Sequence, residues 1–111
     1  MRAHKLKIWP EHFRAVRLGN KKCELRRADR DFRVGDSLML VEFDPREDRL
    51  TGAYQCCEIT HITKGEDVPR ALLDGFVILS IDHVSKIEEE TMLGKESMAF
   101  GSVEWVKHDP S

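Results

Sequence analysis

"KLKIWPEHFRAVRLGNKKCELRR", Lys5–Arg27, decides the architecture. Its first part, "KLKIW", alternates polar and apolar residues and puts Leu6 and Ile8 on one face, the period of a half-buried strand. Pro10 then suits the first position of a helix, where its missing N–H has no intrahelical partner to lose. Glu11 suits the positive end of the helix dipole, and Gly19 suits the residue just past the last turn. Phe13 and Val16 lie one turn apart and give the helix its buried side. From Lys22 to Arg27 the alternation resumes. Cys23 and Leu25 are expected to point into the core, with Lys22, Glu24 and Arg26 on the opposite, polar face.

Outward from this strand–helix–strand unit, "RADRDFRVGD" (Arg27–Asp36) reads as a charged loop closing on a Gly-Asp turn. "SLMLVEFD" (Ser37–Asp44) is a strongly apolar strand, and "PREDRLTG" (Pro45–Gly52) is turn chemistry. "AYQCCEITHIT" (Ala53–Thr63) is a strand whose Ile59 and Ile62 break strict period two, which predicts a bulge. "KGEDVPRALLDG" (Lys64–Gly75) is a connection with a helical turn expected around Arg70–Asp74. "FVILSIDHV" (Phe76–Val84) is the most apolar run and reads as a central strand. About five short strands and one early helix predict a mostly β (α+β) fold, a small, partly closed β-barrel with the helix packed against it. A two-layer α+β sandwich fits the same pattern.

The chain of 111 residues is read as one domain over 1–87, followed by an acidic extension over 88–111. That extension holds six Asp/Glu against two Lys, net −4, and Met98–Val106 within it reads as a further strand or an arm. No run approaches the roughly 20 apolar residues of a membrane helix. The start is basic without an apolar stretch, so it does not read as a secretory signal. Three cysteines, two of them adjacent, make a poor disulfide framework. A cytoplasmic protein that meets no membrane is the expectation.

Charge is divided along the chain. Residues 1–35 hold 11 Lys/Arg and 4 Asp/Glu, so +7, while residues 36–111 hold 7 and 16, so −9. The balance argues against indiscriminate nucleic-acid binding and leaves a local basic surface on the first third. On the second strand, Glu24 and Arg26 are same-face neighbours about 6.5–7 Å apart. Lys21 swings toward them from the turn after Gly19. Arginine offers a planar fork for phosphate or carboxylate, lysine a mobile point charge, and glutamate an acceptor that orients either. The same pattern also fits a solvated sheet face with a routine Glu–Arg pair.

Gly19-Asn20-Lys21-Lys22-Cys23-Glu24-Leu25-Arg26 resembles the G-x-K-x-x-E-x-R signature of the ASCH domain family, in the PUA-like superfamily. "HKLKIWPEHFRAVRLG", "RDFRVGD", "EITHI" and "GFVILSI" resemble the flanks of its bacterial and phage DUF3850 branch, over residues 4–84. The resemblance implies a small β-barrel with a cleft on one side, lined by Lys21, Glu24 and Arg26, with Gly19 as the backbone pivot. It also implies RNA or a nucleotide as partner. One ASCH-like branch hydrolyses acetylated cytidine with a Lys, a Thr three residues on, and a distant Glu. Here Lys21 matches, but Glu24 stands where that threonine would be. A hydrolase acting on RNA or a modified nucleoside would rely on Lys21 and Glu24 as acid and base. An interaction module using Phe100 and Trp105 is a third reading.

Arg30 and Asp31 are expected on one rim of the cleft with Asp29, and Tyr54 is an aromatic that would stack on a base. Trp9 and Phe32 are expected in the core, and His4 and His12 on the basic surface. Cys56-Cys57-x-x-x-His61 offers three ligand types, but adjacent cysteines face opposite sides of a strand. No metal and no cofactor are expected. The acidic extension is a candidate internal cover for the basic cleft.

Overall fold

The computed structural model describes residues 2–85, 89–90 and 93, and the backbone of 104–106. In chain order the elements are β1 (Arg2–Ile8), α1 (Pro10–Arg17), β2 (Cys23–Arg27), β3 (Ser37–Asp44), β4 (Arg49–Lys64), a 3-10 turn (Gly65–Asp67), β5 (Phe76–His83) and β6 (Glu104–Val106). They form one six-stranded sheet in the order β2-β5-β4-β3-β1-β6. β1 runs parallel to β3 and β6, and the remaining pairs are antiparallel. The expected mostly β class with an early helix is what the structure shows. The sheet does not close into a barrel: β2 and β6 are its ends.

α1 begins as the sequence dictates. Pro10 occupies its first turn with Glu11, and the Phe13 amide donates to Trp9 O at 2.8 Å. It ends in a Schellman motif. Gly19 takes φ +80°, its amide donates to Val16 O, and the Asn20 amide reaches back to Ala15 O. Phe13 and Val16 bury against the sheet over β3 and β4. The core on this face gathers Leu6, Ile8, Leu38, Leu40, Ile59 and Leu79. Each such side chain contributes about 1.5–3 kcal/mol when fully buried. The opposite face carries a smaller cluster of Met39, Val41 and Cys56, covered in part by Tyr54, Val84 and Leu93.

β4 carries the expected bulge, a register shift between Ile59 and His61. The helical turn expected around Arg70–Asp74 lies slightly earlier, where the Ala71 and Leu72 amides both donate to Val68 O, and a 3-10 turn precedes it at Gly65–Asp67. The position of that 3-10 turn is fixed by close packing, since a Cβ on Gly65 would lie 2.5 Å from Leu73 O. β6 falls within the stretch expected to hold a further strand and pairs beside Arg2–His4. The proposed cover of the cleft by 88–111 rests mostly on residues outside those described.

Two expectations about β2 are overturned. Cys23 is exposed and Leu25 is 58% exposed, whereas Glu24 is only 4% exposed and Arg26 is half-buried. The strand is therefore in the opposite phase. Residues directly opposite in an antiparallel pair share a face. Glu24 pairs with Leu79 and Arg26 with Val77, both core residues, so the two charged side chains turn inward with them.

Two further side chains depart from expectation. Trp9 is 55% exposed, because it stands at the α1 cap between β1 and the helix rather than on either apolar face. His4 lies in the interior at 0% exposure, on the same face of β1 as Leu6 and Ile8. Phe32 is partly buried against the core, as expected.

Candidate functional site

Three elements bring the signature residues together. The Schellman end of α1 directs the chain through Gly19 so that the Lys21 amide also donates to Ala15 O. Backbone bonds from Ile81 to Lys22 O and from Ala28 to Gly75 O clamp β2 to β5 at both ends. Lys21 Nζ then contacts Glu24 Oε1. Arg26 donates to Glu24 Oε2 from Nε at 3.1 Å and from Nη2 at 3.0 Å. Arg26 Nη2 also donates to Lys7 O at 2.6 Å. β1 and β2 are not neighbours in the sheet, so this bond ties the β2 end of the sheet directly to β1.

One buried carboxylate thus holds two cations, and the trio carries a net +1. Among the described residues, these bonds use Nε and Nη2 of the Arg26 fork and leave the Nη1 hydrogens and the rest of the ammonium for another acceptor. Side-chain exposure is 5% for Glu24, 16% for Arg26 and 26% for Lys21. The cations therefore reach the surface while their counter-charge does not. A buried ion pair of this kind contributes little net stability, because desolvation offsets its attraction.

The other expected residues fall into two places. Arg30 and Asp31 line a cavity of about 550 Å³ at the end of the sheet, together with Ala28, Phe32, Phe76 and Val77. Arg30 lies over the Phe32 ring at 5.7 Å and pairs with Asp29 at 3.6 Å. Asp31 pairs with Arg33, which holds its carboxyl below the ordinary value. Val77 is the direct partner of Arg26, so cavity and trio share a boundary. Tyr54 stands apart, on the sheet face that carries Met39 and Cys56.

A buried pair was missed in the sequence. His4 Nε2 lies 2.8 Å from Asp36 Oδ2. Asp36 also accepts from the Arg33 and Arg2 amides. Burial lowers the His4 pKa more than its Asp36 hydrogen bond raises it. Its Nδ1 has no hydrogen-bond partner among the described residues, so a second proton there would have no acceptor. The signal was present in "VGD", where an Asp follows a glycine at φ +94°, and in the inward phase of β1. The pair ties the Arg30–Asp36 loop to β1 and so fixes the cavity rim.

A family model described as a domain of unknown function, DUF3850, matches residues 3–81. The chain belongs to the DUF3850 family. In this DUF3850 domain the match takes in His4, the signature trio and all of β3, β4 and the cavity-lining residues. No curated protein matches the sequence. A crystal structure titled as that of hypothetical protein PH0355 is similar at 14% identity and a TM-score of 0.48, covering 76% of this chain and 100% of the other. No helix of the described residues is long and apolar enough to cross a membrane.

The cysteines of this DUF3850 domain divide between the two sheet faces. Cys57 belongs to the helix-side core and Cys56 to the smaller cluster. Burial pushes both thiols up to about 12. Cys23 is excluded from the trio because it sits on the other face of β2, not because it is buried.

Proposed function

We propose that this DUF3850 protein is a cytosolic ASCH/PUA-like domain that binds RNA or a nucleotide through phosphate. Lys21 and Arg26 contact the anion, and Glu24 fixes their spacing. The observation that carries the reading is the inward carboxylate of Glu24, 4% exposed, gripping two cations whose side chains keep 26% and 16% exposure. A sheet built for stability alone gains little from such a cluster, since apolar residues fill the same space at no desolvation cost. The resemblance of Gly19–Arg26 to the ASCH signature supports the same reading.

The test is binding of short single-stranded RNA at two salt concentrations by wild type and Arg26→Gln. Phosphate contacts should weaken steeply with salt, and losing one should flatten that slope by about 0.7. Unchanged affinity and slope in Arg26→Gln, with the fold checked by its thermal melt, would rule the reading out.

A hydrolytic reading has one observation behind it, the direct contact of Lys21 and Glu24, an acid–base couple whose lysine side chain is 26% exposed. Incubation with labelled RNA and with acylated cytidine separates the two. Turnover abolished by Lys21→Ala would favour hydrolysis, and binding without turnover the proposal above.

A further inference from the structure

The cavity beside the trio is chemically different from it. Its walls include two aromatic rings, Phe32 and Phe76, and its charged groups are of both signs: Arg30 and Lys64 are donors, and Asp31, Glu66 and Asp74 are acceptors. A phosphate would meet those carboxylates at a cost, so this is not a second anion site. A flat, neutral ligand with donors and acceptors along one edge suits it. The volume of about 550 Å³ falls in the range of small-ligand pockets.

Placement sharpens the choice. Ala28, on the cavity wall, is two residues past Arg26, a step of about 6.5–7 Å along an extended chain. Val77, opposite Arg26, lines the cavity too. Trio and cavity therefore lie within the span of one nucleotide. We propose that the cavity is a base pocket, taking the guanine of a nucleotide whose phosphate rests on Lys21 and Arg26. Guanine presents adjacent N–H donors to a carboxylate, Glu66 or Asp74, and its O6 acceptor to Lys64. Its ring stacks against Phe76, as unpaired bases do on aromatic side chains, since Phe32 already packs against Arg30 and His4. The inference rests on the nucleotide reading above, and it names the base that reading leaves open.

Two probes separate the claims in the wild-type chain of 111 residues. Guanosine, which has no phosphate, reports the cavity, and inorganic phosphate reports the trio. Titration calorimetry should show guanosine bound at least tenfold more tightly than adenosine or cytidine. Ala28→Trp fills the cavity from an exposed position and should weaken guanosine at least tenfold. Glu66→Gln/Asp74→Asn, two exposed and nearly isosteric changes, should erase the preference for guanosine, and this pair carries the test if Ala28→Trp does not fold. Phosphate binding without guanosine binding overturns the pocket and leaves the trio. Guanosine binding without phosphate binding does the reverse. Equal affinity for all nucleosides, or a preference that survives the double substitution, overturns the carboxylate contact.

Discussion

Replacing Glu24 by glutamine should unbalance the trio while barely changing its shape. The new side-chain amide would keep one carbonyl acceptor but leave Lys21 and Arg26 as adjacent like charges. Removing one partner of a fully buried ion pair costs about 3–5 kcal/mol. Here the lysine and arginine side chains keep 26% and 16% exposure, so water compensates part of the loss. The expected cost is about 2 kcal/mol after that screening. A domain of this size shifts by about 4 °C per kcal/mol, so the melting temperature should fall by about 8 °C. The companion variant Lys21→Met/Glu24→Leu/Arg26→Met removes all three charges together. It should melt close to wild type, within about 1 kcal/mol, because desolvation disappears with the attraction. Lys7 O loses its donor in that variant, but Lys7 is half-buried and water can serve it. Circular dichroism melts of both proteins decide the matter. A Glu24→Gln protein as stable as wild type would refute the electrostatic coupling. A triple variant that unfolds would show that the trio is kept for stability and would remove the main support for a binding role.

Other expectations follow from single contacts. Burial holds His4 below its ordinary value of 6.5, so the unfolded chain takes up this proton first as pH falls. Stability should therefore rise with pH through that range and be lost below it until folded His4 itself protonates. Melts at pH 7.5 and 5 should show wild type losing more than His4→Gln, with Asp36, Arg2 and Arg30 facing the ring in the native protein, and equal losses would refute this. Gly65→Ala places a Cβ 2.5 Å from Leu73 O and should cost about 1–3 kcal/mol in urea unfolding. An unchanged midpoint would mean the turn relaxes freely. A chromogenic thiol reagent should label Cys23 alone in the native protein and reach Cys56 and Cys57 only in denaturant. Protection of Cys23 would mean that β2 has the phase first expected from its pattern.

The β2 phase marks what the sequence can say and where it stops. Alternation over Cys23–Arg27 showed that Glu24 and Arg26 share a face, and they do. It could not say which face is inside. That follows from pairing with Leu79 and Val77, some 50 residues away, which no local pattern encodes. α1 was legible because Pro10, Glu11 and Gly19 act through local backbone geometry. The β4 bulge was legible because Ile59 and Ile62 cannot both keep one phase on a regular strand.

The site divided in the same way. Lys21, Glu24 and Arg26 were visible because they are close in sequence. The His4–Asp36 pair was not, since it joins residues 32 apart. The cavity was half visible. Arg30 and Asp31 signalled a charged rim, but Glu66 and Asp74 arrive from the β4–β5 connection, and Phe76 from the start of β5, through tertiary packing. Tyr54 failed to join for a reason of parity. It faces the same way as Cys56 two residues on, and that face is turned from the helix and the trio.

The central claim is that Lys21 and Arg26, set by Glu24, receive the phosphate of a nucleotide. The direct measurement follows the Arg26 side-chain Nε–H resonance by nuclear magnetic resonance during titration with guanosine 5′-monophosphate. A saturable shift of that resonance is expected, with nucleotide binding at least tenfold weaker, and no tighter than that of guanosine, in a parallel titration of the Lys21→Met/Glu24→Leu/Arg26→Met protein. An Arg26 Nε–H signal that stays fixed through saturating nucleotide would contradict it.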